Sequence, residues 1–247
     1  MLVGNNEFMV DLDHPMDISI PLRDGSDNPN CYHTNPPEFA PVLQDGFIGS
    51  VAQGGPCNHQ RISLAAHGNG THTECFGHLS PNPEITLNKC LIKFHFSTRL
   101  ISVEPQFGKD GDTFILWSDV ERLVGPQYPE ALIIRSLPNS AKKLTQDYSG
   151  TNPPYLEAGF GEKLAINNVQ HLLVDLPSID KEINNELPNH HGFWNYPSSP
   201  RNDCTITELI YVPEEIPDGL YLLNIQICSI ESDASPSKPV IYSMKDK

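Results

Sequence analysis

The sequence predicts a mixed α/β fold on three observations. Short strand-like runs outnumber helical ones, a strand–helix–strand succession occurs twice, and no polar linker divides the chain into separately patterned halves. In order, the strand-like runs are Met16–Pro21 (MDISIP), Arg61–Ala65 (RISLA), Ala131–Arg135 (ALIIR), His171–Asp175 (HLLVD), Leu220–Ile227 (LYLLNIQI) and Pro239–Tyr242, each rich in residues that suit a pleated surface. Two helices are expected. Ser118–Val124 (SDVERLV) opens on a capping residue and carries apolar side chains at helical spacing, and Tyr155–Asn167 sets Leu156, Phe160, Leu164 and Ala165 on one face. The strand–helix–strand units lie around residues 114–135 and 155–175, an order that delivers loops to one site. Pro-rich pieces at 35–41, 81–83, 153–154 and 197–200 fall between these segments as punctuation. One domain over residues 1–247 is the expectation.

Composition narrows the function classes. At 247 residues and 38% hydrophobic, the chain can bury a core without disulfide or metal staples. Its 31 acidic residues against 16 Lys plus Arg give a net charge of -15, which argues against nucleic acid or an anionic membrane as partner, since both need cationic side chains. Met1–Val10 has no charged-then-apolar signal pattern, and no window approaches the roughly 18 apolar residues of a membrane helix, so a cytoplasmic protein acting on a small molecule is expected. The six Cys are scattered without CxxC spacing and read as reduced thiols. There is no GxSxG elbow, phosphate loop or dinucleotide fingerprint.

The most informative stretch is His67–His78, HGNGTHTECFGH, with three His and one Glu interleaved with Gly68, Gly70 and Gly77. Imidazole and carboxylate donors suit zinc, manganese or iron, and the glycines let a loop turn tightly enough to aim several side chains at one point. His72 and Glu74 are two apart, so on an extended backbone they point the same way.

This stretch resembles the signature HxGTHxDxPxH of the cyclase family of metal-dependent hydrolases, which includes the bacterial-type kynurenine formamidases. Gly70, Thr71, His72, Glu74 and His78 fall on its GTH, acidic and last-His positions. The likeness runs on through Asp17–Pro21, Phe114–Leu137, Val174–Asp180 (VDLPSID), Glu208–Pro217 (ELIYVPEEIP) and Asp233–Pro236, in order. It implies a single domain of the swivelling β/β/α type and one or two divalent ions, zinc or manganese. It also implies His72, Glu74 and Glu208 as metal ligands, with Glu74 bridging, and His78 as the general acid/base. The chain departs from the pattern in three places. The first signature His should stand at Gly68, so His67 takes its place as a ligand across a one-residue bulge; Glu74 and Phe76 replace the usual Asp and Pro; and Tyr196 stands where the later ligand His is expected. That leaves His190 or His191, with His191 preferred, and requires an inserted loop near Asn195–Asn202.

The activity implied is hydrolysis of a small amide, an aryl formamide such as N-formylkynurenine, or a cyclic amide or lactone, by a homodimer or larger assembly. The competing expectation is a family-like binding protein whose metal centre has been spoiled by those departures. Specificity is expected in the loops Cys31–Pro41 and Gly192–Arg201. The other His, at 14, 33, 59, 95 and 171, read as structural or surface residues, Arg135 as half of a structural ion pair, and Phe193, Trp194 and Tyr196 as core or substrate wall.

Overall fold

A computed structural model describes residues 2–3, 6–109 and 111–246; part of the Met1–Val10 stretch therefore lies outside the described residues. Seven strands form a closed sheet: β1 (His72–Glu74), β2 (His95–Val103), β3 (Ala131–Ser136), β4 (His171–Val174), β5 (Thr205–Glu208), β6 (Gly219–Ile227) and β7 (Ala234–Asp246). Around the ring the order is β7-β6-β2-β3-β4-β5-β1, and β1 pairs back to β7. β2, β3, β4 and β5 are parallel, as crossover connections require, while β6, β7 and β1 join antiparallel. All residues of β3 and β4 are buried, which suits parallel strands covered on both faces.

Three helices serve the barrel: α1 (Trp117–Val124), α2 (Phe160–Ile166) and α3 (Pro188–Trp194). Each of the two expected strand–helix–strand units ends in the barrel but begins outside it. Thr113–Ile115 and Tyr155–Leu156 pair parallel to each other in a separate small sheet completed by Gln106–Phe107. The helix expected over Tyr155–Asn167 thus starts only at Phe160, after Gly159 turns the chain at φ +79°.

Elsewhere the strands differ from expectation in extent. The Met16–Pro21 run contributes only Met16–Asp17, paired to β7, and Pro239–Tyr242 is the middle of the thirteen-residue β7. The Arg61–Ala65 run forms Gln60–Ser63, exposed along its length and paired with Glu38–Pro41 in a ribbon outside the barrel.

The core is continuous, built from Leu100, Leu132, Ile133, Leu173, Ile206 and Leu223 of the barrel and from Phe160, Phe193 and Trp194 of the helices. Burying such side chains contributes about 1.5–3 kcal/mol each. α2 and α3 approach closely through glycines. A Cβ on Gly161 would collide with the Asn189 carbonyl and sit 2.8 Å from the Phe193 nitrogen, and one on Gly192 would lie 2.8 Å from the Glu162 nitrogen. Phe193 and Trp194 therefore belong to the core. Arg135 is a structural residue, buried and bonded to Asp218 at 3.0 Å and to the carbonyls of Pro213 and Ile216. All six Cys are free thiols, and no helix among the described residues is long and apolar enough to cross a membrane.

Candidate metal centre

The site lies at the seam where β1 meets β5 and β7. Register places Glu208 opposite His72 and Ile206 opposite Glu74, so one short strand and its neighbour present two carboxylates and an imidazole together. All three side chains are buried. Thr71 braces the entry to β1: its hydroxyl donates to the Leu209 carbonyl at 2.5 Å and accepts from the Ile20 nitrogen. Directly after Glu208, Leu209 is held at φ +54°, a left-handed conformation that costs a branched residue of order 1–3 kcal/mol and turns the chain away from the site.

α3 delivers the next imidazole, and it comes from His190. The carboxylate of Asp180 accepts from the backbone nitrogens of Asn189 and His190, satisfying amides that a helix start leaves unpaired. The same carboxylate accepts from His190 Nδ1 at 2.7 Å. His190 Nε2 then faces Glu74 Oε1 at 3.1 Å and Glu208 Oε1 at 3.7 Å. His191, the residue preferred from the sequence, turns away: successive helical residues point about 100° apart, and its Nδ1 donates to the Tyr196 carbonyl at 3.0 Å.

On the opposite side of Glu74, His67 Nδ1 lies 3.1 Å from Oε2. His78 Nδ1 stands 3.8 Å from the same oxygen. Two overlapping groups result, His67–Glu74–His78 and Glu74–His190–Glu208, each compact enough to hold a metal ion, with Glu74 common to both. Asp233, just ahead of β7, accepts from His67 Nε2 at 2.9 Å and from His78 Nδ1 at 3.3 Å.

The electrostatics follow from this crowding. Burial opposes ionisation of Glu74, yet His78, His190 and His67 hold its carboxyl well below the usual carboxylate range. Burial likewise opposes protonation of His67 and His190, but the first is outweighed by Asp233 and Glu74 and the second by Asp180 and Glu74, which push both up to about 10. The carboxylates therefore draw positive charge into the centre.

A cleft of about 250 Å³ opens onto these groups. Beyond the His and Glu side chains, its walls are Tyr32, Ser178, Lys181, Glu182 and Leu187. Tyr32 is the contribution of the Cys31–Pro41 loop, fixed by a hydroxyl donated to the Pro177 carbonyl at 3.0 Å. The Gly192–Arg201 loop, expected to shape specificity, contributes no wall; its Arg201 guanidinium instead donates to the Phe193 and Val169 carbonyls.

His190, Asp180 and Asp233 were not singled out as the preferred site residues from sequence. His190 was the weaker of an adjacent pair, Asp180 ended a family-like turn, and Asp233 lay in a late loop whose pairing with β1 only register discloses. Among the remaining His, His171 is buried, bonded to Thr205 at 2.9 Å and packed on Phe96; burial pushes its pKa down to about 3.

The fold and site together define a class: a closed α/β barrel carrying two overlapping histidine–carboxylate groups at its seam, each able to hold a metal ion. The family described as "Putative cyclase" matches residues 10–181, well over half of the chain, and the protein belongs to this family. A comparison with curated proteins finds no match. Among solved structures, one described as a "predicted metal-dependent hydrolase" from Bacillus stearothermophilus aligns at TM-score 0.63 and 14% identity, covering 93% of this chain and 98% of that one. An isatin hydrolase bound to the product analogue thioisatinate aligns at TM-score 0.65 and 13% identity, over 94% and 92% of the two chains. A structure described as a novel cyclase aligns at TM-score 0.66 and 14% identity, over 92% and 86%. At these identities the likeness establishes the fold.

Proposed function

We propose that the protein is a metal-dependent hydrolase of small amides, with aryl formamides of the N-formylkynurenine kind, cyclic amides or lactones as its substrate class. One observation carries this reading: a buried imidazole nitrogen, His72 Nε2, and a buried carboxylate oxygen, Glu74 Oε2, both lack a hydrogen-bond partner in the centre. His72 donates from Nδ1 to the Gly70 carbonyl at 2.9 Å, and His190 donates from Nδ1 to Asp180. His72 Nε2 is thereby left as an acceptor, 3.4 Å from Glu208 Oε2, while His190 Nε2 faces Glu74 Oε1 at 3.1 Å. Neither His72 Nε2 nor Glu74 Oε2 meets a hydrogen-bond donor, although both are buried. Acceptors held face to face in a dry site repel unless a cation lies between them, and uncompensated burial of such groups is costly.

On this reading His67, His72, Glu74, His190 and Glu208 would hold one or two divalent ions, zinc or manganese by donor type, with Glu74 shared. Asp180 behind His190 is the carboxylate that fixes a ligand imidazole's tautomer. A bound ion would supply Lewis acidity, lowering the pKa of water at the centre from about 15.7 toward about 7 and polarising the scissile carbonyl. The rest falls to the chain. His78, partly exposed at the cleft and anchored through Nδ1, has Nε2 to take a proton from the attacking water and return it to the leaving nitrogen, a role worth about 10²–10⁴-fold. Tyr32 and Leu187 supply apolar walls for a small ring, in a cleft of about 250 Å³. The isatin hydrolases among the structural neighbours support hydrolysis as the reaction class. From the family likeness we also carry forward the swivelling β/β/α type, a homodimer and a cytoplasmic location.

Elemental analysis of the purified protein, paired with turnover of N-formylkynurenine and a panel of cyclic amides and lactones, tests the reading. Stoichiometric zinc or manganese, and loss of both metal and turnover in His72→Ala, are expected. A protein that takes up no divalent metal, with hydrolysis untouched in His72→Ala, overturns it.

A further inference from the structure

We propose that Asp233 is a positioning residue that fixes the ring orientation and tautomer of both His67 and His78, coupling a metal ligand to the acid/base. This rests on the reading above, in which His67 is a ligand and His78 moves the proton.

The carboxylate is aimed by its own surroundings. Its Oδ1 accepts from the Ser232 hydroxyl at 3.0 Å, which leaves Oδ2 for the two imidazoles, at 2.9 Å from His67 Nε2 and 3.3 Å from His78 Nδ1. The backbone is pinned on both sides: the Cys75 nitrogen donates to the Asp233 carbonyl at 3.0 Å, the Leu87 nitrogen donates to the Ser232 carbonyl at 2.8 Å, and Ala234 pairs with Glu74. Gly77 provides the room. A Cβ there would lie 3.2 Å from the Asp233 Cβ and collide with the Ile85 carbonyl, so a side chain at 77 would push the His78 loop off Asp233.

The chemistry follows from which nitrogen is occupied. A carboxylate can only accept, so His67 must donate from Nε2, and Nδ1, which faces Glu74, is the nitrogen that would give up its proton to a metal ion. By the same logic His78 donates from Nδ1, and its Nε2 is the free base. The two rings are held with centroids 4.3 Å apart, so one oxygen sets the geometry of both. Asp233 and the two imidazoles are all partly exposed, unlike the buried Asp180–His190 pair. A ligand imidazole's carboxylate partner is worth about 10–100-fold in metal affinity.

Asp233→Ala and Asp233→Asn, purified as full chains, test this by two readouts. Nitrogen-15 NMR of the histidine rings reports which nitrogen carries the proton, and zinc titration reports affinity. In the zinc-loaded wild-type protein His67 should be protonated at Nε2 and His78 at Nδ1. In Asp233→Ala both rings should become tautomer mixtures and zinc affinity should fall about 10–100-fold, with Asn, which keeps one acceptor oxygen, between the two. Unchanged tautomers with affinity within twofold overturn the proposal for Asp233 alone. A wild-type chain that binds neither zinc nor manganese overturns the metal reading on which it rests. Thermal melting of each variant separates loss of fold from loss of tether: a variant that melts as wild type yet loses affinity supports the proposal, and one whose tautomers survive in the folded fraction counts against it.

Discussion

Asp180 holds His190 through Nδ1 at 2.7 Å, which fixes the ring with Nε2 toward Glu74. His191 spends its Nδ1 on the Tyr196 carbonyl instead. His190→Ala should therefore remove bound metal, with about a tenfold or greater loss of affinity, whereas His191→Ala should keep it. Elemental analysis of the two variants side by side checks this; equal loss in both would show that the helix is turned differently.

His78 touches Glu74 and Asp233 but is assigned the proton rather than the metal. His78→Gln should lower kcat by about 10²–10⁴-fold while metal content stays near that of the wild type. Metal loss in step with activity would make His78 a ligand.

Gly161 is the second residue of α2, and replacing Gly by Ala within a helix ordinarily gains up to about 1 kcal/mol. Here the sign should reverse. The added Cβ meets the backbone of Asn189 and Phe193, which cannot yield as a flexible side chain would, so Gly161→Ala should destabilise by about 1–3 kcal/mol and disturb α3 with its His190. Urea unfolding midpoints and metal affinity read the two effects.

His171 gives the fold a pH dependence apart from the site. Burial lowers its pKa to about 3, against an ordinary value of about 6.5, so between those limits the unfolded chain holds the extra proton. Stability conferred by the neutral ring is full above pH about 6.5 and declines as pH falls toward 3, with a slope approaching 1.4 kcal/mol per pH unit for one proton. His171→Asn, which keeps a partner for Thr205, should flatten denaturation midpoints across that window.

The metal-centre strand was legible in the sequence because its signal is local: His72 and Glu74 share a face by simple alternation, and His67 and His78 lie within six residues of them. β3 and β4 were legible as short apolar runs. β2, His95–Val103, is not legible because Ser97, Thr98 and Arg99 interrupt its pattern, although Thr98 is buried and satisfied by the Ala131 carbonyl. Which of the paired histidines faces Glu74 turns on helical phase, which two neighbours on a seven-residue helix do not disclose. Asp233 depended on strand register between segments about 160 residues apart, information that exists only once the ring is closed.

That ring is not equally strong all round. β1 is three residues long and is joined to each neighbour by three register pairs, whereas β2 and β3 share six. In a cylinder with no free edge, the shortest stave is where opening begins, and here it carries Glu74. A cation bound across Glu74, His190 and Glu208 would rivet that stave to its neighbours, so occupancy and closure would be one equilibrium. Amide protons of residues 72–74 would then exchange at a rate set by free metal concentration, long before the rest of the barrel responds.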